Sequence, residues 1–303
     1  MKTYRINLIA CFIAAGSMGL LMSSCGNDEG GSDMESDMDS LGADVETQDV
    51  SQAQKVFYTL PSPFEVASML KSAGAKFSPE VLNPVDNLSN YSTSKSKALN
   101  LGIYGADLSF VSMFEQTQES MQYMAVVKKL CEDLGISSAF SSATMERLEA
   151  NKDNQDSVEQ IVADAYLIAN SYLKENERED ASAMILAGGW AEGLYIATHL
   201  INQDNPNEDL MLMVGEQKYS LENLIALLGS YQNGNVEDIL QDMNALMEIY
   251  NKVEEVGQTD VQQTTNAEEK ITVIGGGSEI QLNPETLKQI TEKITEIRNS
   301  YIE

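Results

Sequence analysis

From Lys95 almost to its C-terminus, this chain places apolar residues at intervals of three and four. That spacing gathers them on one face of an α-helix but scatters them over both faces of a strand, so helices are what can bury them together. Met121, Met124, Val127, Cys131 and Leu134 make one such stripe; Val158, Ile161, Val162, Ala165, Ile168 and Tyr172 make a second. Ile239, Met243, Leu246, Met247, Tyr250 and Val253 make a third. The last stretch keeps Leu287, Ile290, Ile294, Ile297 and Tyr301 at strict 3-4-3-4 spacing. Such a narrow seam suits either a groove on the body of the protein or a partner helix.

Capping chemistry sets the boundaries. Ser62-Pro63-Phe64-Glu65 combines an N-cap Ser, Pro at the first helical position and Glu at the third, which predicts a helix from Pro63 to about Ala73. Gly74, Pro79 and Pro84 make residues 74–94 a loop with at most one helical turn. Helices follow over 95–115, 117–134 and about 141–151; another opens at Ser157-Val158-Glu159-Gln160, a capping-box form, and another runs from Asp180 to about Ile201. Residues 202–209 (NQDNPNED) read as a loop.

Two small hairpins are expected among the helices. Leu210–Val214 and Gln217–Ser220 flank Gly215-Glu216, and Lys270–Ile274 and Glu279–Leu282 flank Gly275-Gly276-Gly277. Residues 257–269 are polar and read as a loop. The expected fold over residues 55–303 is therefore mainly all-α: a multi-helix bundle or short α-solenoid with two small β-hairpins.

Two segments resemble one another. Leu101-Gly102-Ile103-Tyr104-Gly105-Ala106-Asp107-Leu108 can be laid over Ala187-Gly188-Gly189-Trp190-Ala191-Glu192-Gly193-Leu194, with Gly, an aromatic two residues on, a small residue and Leu coinciding inside a helical pattern. Each such Gly costs about 1 kcal/mol relative to Ala, which a helix accepts when another backbone approaches closely. Two tight helix crossings account for this; so does a duplicated unit in which Tyr104 and Trp190 line a shared groove. That groove is the candidate binding site.

Composition excludes several classes. The formal charge of −28 argues against nucleic acid and against direct docking on anionic lipid, both of which need Lys and Arg clusters. His199, the single histidine, rules out multi-imidazole metal sites, and its apolar setting reads as structural. No G-x-S-x-G elbow, phosphate-cradling glycine loop or EF-hand pattern occurs, so no catalytic, metal or cofactor site is assigned. Acidic residues are abundant, but no carboxylate pair stands out.

The N-terminus carries the clearest functional signal. Lys2 and Arg5 precede an apolar run from Ile6 to Leu21, too short to span a bilayer stably and shaped like a signal peptide. Ser23-Ser24-Cys25 after that run resembles the lipobox of Gram-negative bacterial lipoproteins, although Met22 stands where Leu is usual. The resemblance implies cleavage after residue 24 and lipidation of Cys25, including a fatty acyl group of the palmitate type on the new amine. Two or three acyl chains anchor a protein stably where one does not. Gly26 in second place is similar to outer-membrane sorting, and Asp28 and Glu29 resemble a surface-export signal. Residues 26–54 carry nine acidic groups and no basic one, which makes 25–54 a lipidated, acidic tether. Of three cysteines, Cys11 falls in the signal peptide and Cys25 takes the lipid, so Cys131 has no disulfide partner and reads as a core thiol.

These features read as an outer-membrane lipoprotein held through Cys25, facing the periplasm or the cell surface. Its helical domain is expected to bind or scaffold an envelope protein without catalysis. The alternatives are an envelope hydrolase acting on glycans through carboxylates and a small-ligand-binding lipoprotein.

Overall fold

The computed structural model describes residues 56, 59–139, 141–151, 154–201, 207–231, 234–257, 262–266, 271–275 and 278–303. The signal peptide, Cys25, the acidic tether and most of the 202–209 loop lie outside the described residues. The chain is a multi-helix bundle, and several of its helices begin at a polar cap. Ser62 caps α1 (Pro63–Ser72) by accepting from the Glu65 N–H. Two 3-10 turns, Pro79–Val81 and Val85–Asn90, occupy the segment expected to hold one turn at most. Thr93 and Ser96 form a capping box at the head of α2 (Ser94–Met113). α3 (Thr117–Leu134) stops at Gly135, whose φ of +78° is the left-handed cap that glycine takes without strain.

α4 (Ser142–Asn151) leads to α5 (Gln155–Glu175). The α5 cap is Asn154, which accepts from the Ser157 N–H at 3.1 Å, so the helix starts ahead of the expected Ser157 box. α6 (Glu179–Leu200) is buried along nearly its whole circumference, as a central helix must be. α1, α2, α5, α7 (Glu208–Ser230) and α9 (Pro284–Ile302) all pack on it. α8 (Glu237–Tyr250) closes the side between α7 and α9. The final seam Leu287, Ile290, Ile294, Ile297 and Tyr301 is buried against the body, which resolves the choice left by its spacing.

The two glycine segments turn out to be halves of one contact. A Cβ on Gly102 in α2 would stand 2.0 Å from the Ile185 carbonyl oxygen of α6. One on Gly188 would stand 2.0 Å from the Leu99 carbonyl oxygen of α2. Backbone meets backbone there, which no other residue type permits. The likeness between the segments is thus that of two surfaces fitted to each other.

Three expectations are corrected. Residues 210–220 do not form a hairpin; they lie within α7, and Gly215 is there because Ile280 presses on it, a Cβ coming within 2.5 Å of the Ile280 Cγ2. The second hairpin is replaced by two separate two-stranded pairings. β1 (Glu254–Gly257) pairs antiparallel with β4 (Ser278–Gln281), and β2 (Gln262–Asn266) with β3 (Ile271–Gly275). Strands thus occupy part of the expected 257–269 loop. The apolar stripes of α3 and α5 are also rotated. α3 buries Tyr123, Val126, Val127, Leu130, Cys131 and Leu134 but leaves Met121 65 % exposed. α5 buries Ile161, Ala165, Tyr166, Ala169 and Leu173 and turns Val162, Ile168 and Tyr172 outward. Each helix offered overlapping stripes at three-four spacing, and packing took the neighbouring one.

Candidate functional site

The polar centre of the domain lies where α2, α6 and α9 meet. Asp107 comes from α2, Glu192 from α6 and Arg298 from α9, and these residues are 0, 0 and 5 % exposed. Arg298 grips Glu192 with both arms of its fork, Nε to Oε2 at 2.9 Å and Nη2 to Oε1 at 3.0 Å. Bidentate geometry of this kind is the strong form of a charge-assisted hydrogen bond. Asp107 accepts the Asn83 backbone N–H on Oδ2 at 3.2 Å, while its Oδ1 meets no donor from another group.

Both carboxyls are held above their ordinary range. Burial pushes the Asp107 carboxyl well above its ordinary range, and the neighbouring Glu192 carboxylate pushes it further. Burial also raises Glu192, but the Arg298 guanidinium opposes that rise. Arg298 spends both contacts on Glu192, so the charge sits on Glu192 and the proton on Asp107. A proton on Asp107 would turn its orphaned Oδ1 from an acceptor into a donor. The cluster then carries one negative and one positive charge, which a low-dielectric interior tolerates.

Around it runs a hydrogen-bonded shell. Asn83 Nδ2 donates to Tyr91 Oη and Asn100 Oδ1, at 3.0 and 3.3 Å. The hydroxyls of Tyr123 and Tyr104 donate to the carbonyls of Asn83 and Pro84, at 3.0 and 2.8 Å. Asn100 Nδ2 donates to the Tyr301 carbonyl at 2.7 Å, which fixes the end of α9. Toward solvent, Arg298 lies 4.5 Å over the Tyr195 ring, and the centroid of that ring is 3.9 Å from that of His199. His199 Nδ1 donates to the Tyr195 carbonyl at 2.8 Å, and burial depresses its pKa. His199 itself is exposed, at the solvent end of this column, rather than set among apolar residues.

Tyr104 and Trp190 do not line a common groove. Tyr104 is fully enclosed between Tyr91 and Tyr123. Trp190 faces the other way, donating from Nε1 to Gln217 Oε1 at 3.2 Å. It borders a narrow slot with Pro61, Pro63, Val66, Gly193 and Gln217, whose enclosed part measures about 20 Å³, room for about one water. Cys131 is buried and its thiol is pushed up to about 12.

Sequence reasoning passed over Asp107, Glu192 and Arg298. A signal was there for two of them: Asp107 and Glu192 are each a lone charge within an apolar helical stretch, whereas Arg298 stands in a charge-rich helix, next to Ile297 of the final seam. Among the described residues no group of His, Cys, Asp or Glu could hold a metal ion, and no helix is long and apolar enough to cross a membrane. Comparison with protein-family models, curated proteins and solved structures gave no match.

Proposed function

We propose that this chain is an outer-membrane lipoprotein, tethered through Cys25, whose helical domain binds an envelope protein. The observation that carries the binding role is the outward face of α5. Val162, Ile168 and Tyr172 are 37, 45 and 37 % exposed, and with Leu167, Ser171 and Glu175 the last two border an open depression that reaches Ser138. Ile168 and Tyr172, one turn apart at the rim of that depression, expose apolar surface of the kind that contact sites use. An aromatic and a branched aliphatic side chain at i and i+4 supply the anchors such contacts use. The lipobox-like stretch ending at Cys25 supports the anchoring role.

The hydrolase reading has less behind it. The Asp107–Glu192 pair is sealed inside the bundle, whereas glycoside hydrolysis needs carboxylates flanking an open cleft that a sugar can enter. The slot at Trp190 is too small to favour a small ligand.

A photo-cross-linking residue at position 168, in cells carrying the whole chain, tests the proposal. A discrete adduct with one envelope protein, absent when the same group stands at exposed Glu248, is the expected result. Equal labelling from both positions, or none from 168, would contradict it.

A further inference from the structure

The depression at the end of α5 has a lining that selects what enters it. Its walls are Ser138, Leu167, Ile168, Ser171, Tyr172 and Glu175, and it measures about 410 Å³, enough for a side chain together with the backbone that carries it. Leu167 and Ile168 offer an aliphatic wall, which suits a long hydrocarbon stem. Tyr172 supplies an aromatic ring, whose face attracts a cation. Ser138 and Ser171 are exposed, and their hydroxyl oxygens accept hydrogen bonds. Glu175 is exposed and enters no ion pair among the described residues. It is also the last residue of α5, and a helix C-terminus carries about half a negative charge. The two bases beside it are committed. Arg178 Nη1 donates to the Leu134 carbonyl at 2.8 Å, and Lys174 is engaged. An anion here would meet Glu175, and a purely apolar side chain would leave that carboxylate unanswered.

We infer that the depression receives an arginine of the envelope partner, its stem along Leu167 and Ile168 and its guanidinium at Tyr172 and Glu175. Arginine fits better than lysine. A planar guanidinium stacks on an aromatic ring, and it brings five donors that one carboxylate and two hydroxyls can accept together. The formal charge of −28 turns away a second copy of this chain and an anionic lipid surface alike. It selects a partner whose contact surface is basic. The inference rests on the reading of α5 as the contact face and adds the chemistry of what meets it.

Butylguanidinium tests the site without the partner. Titrated into the purified full chain at fixed ionic strength, it is expected to shift the backbone resonances of Ser138 and of residues 167–175 saturably. Butylammonium should bind there severalfold more weakly. Glu175→Gln and Tyr172→Leu, both at exposed positions, should each weaken the guanidinium severalfold while the rest of the spectrum stays unchanged. Shifts spread over the whole acidic surface, equal binding of the two cations, or undiminished binding to Glu175→Gln would each overturn the inference. In cells, Glu175→Lys should abolish the adduct formed from position 168, and Glu248→Lys, the same charge change on α8, should leave it. An adduct that survives Glu175→Lys, or one joining two copies of this chain, overturns the arginine while keeping α5 as a contact face. No adduct from 168 in the natural background sinks the contact face itself.

Discussion

Arg298 on the last helix holds Glu192 on the central one through two hydrogen bonds of 2.9 and 3.0 Å, although 106 residues separate them in sequence. This pair lets a C-terminal helix with a mostly polar solvent face dock firmly on the bundle. Apolar burial along the seam positions α9; the ion pair fixes its rotation and register. A helix whose inward positions were apolar throughout could slide by a turn against α6 at little cost, whereas an uncompensated guanidinium in the core forbids that.

Removing one partner should therefore hurt far more than removing both. Glu192→Gln or Arg298→Met leaves a buried charge or donor set without its match, a change that typically costs about 3–5 kcal/mol. The Glu192→Gln, Arg298→Met double variant should recover a large part of that loss. Chemical denaturation of the four proteins checks this, and strict additivity of the two single losses would contradict the pairing.

Asp107 offers a test of protonation. Its folded-state pKa lies above the unfolded value, so the stability tied to its proton is full below the unfolded pKa. It is lost as pH rises through the folded pKa. Asp107→Asn keeps the donor and the acceptor without needing a proton. The variant should match the natural protein near pH 4 and become the more stable as pH rises, the gap widening by up to about 1.4 kcal/mol per pH unit. Denaturation curves between pH 4 and 8 measure it; a gap independent of pH would place the proton elsewhere.

Two glycines on α6 should respond in opposite directions. Gly188→Ala drives a methyl to within 2.0 Å of the Leu99 carbonyl, so the helices must separate. The loss should be several kcal/mol, in the range of severe core overpacking and above. Gly193 is buried, yet an added Cβ meets nothing within 4 Å because it enters the slot beside Trp190. Gly193→Ala should therefore stabilise by about 1 kcal/mol through helix propensity. Thermal melts of both variants give the comparison, and equal shifts would contradict the crossing described.

The sequence carried the helices through features that act locally. Ser62-Pro63, Asn283-Pro284 and the three-four stripes work within a turn or two, so they could be read without knowing what lies opposite. What escaped was set across space. Gly215 looked like a turn because its close neighbour is Ile280, 65 positions later. The rotation of α5 depended on which of two stripes α6 would accept. Asp107 and Glu192 looked like isolated acids because their counter-charge arrives only with α9. Even so, the glycine likeness between α2 and α6 pointed at the crossing around which the bundle is assembled.

The most direct test of the tether concerns Cys25. If lipid on that residue holds an otherwise self-sufficient domain, Cys25→Ala moves the protein from the membrane to the soluble fraction. Its thermal midpoint should stay unchanged, because the described core is one cluster built from the helices between Val56 and Tyr301. A variant that remains with the membrane and keeps its N-terminal segment would contradict the account.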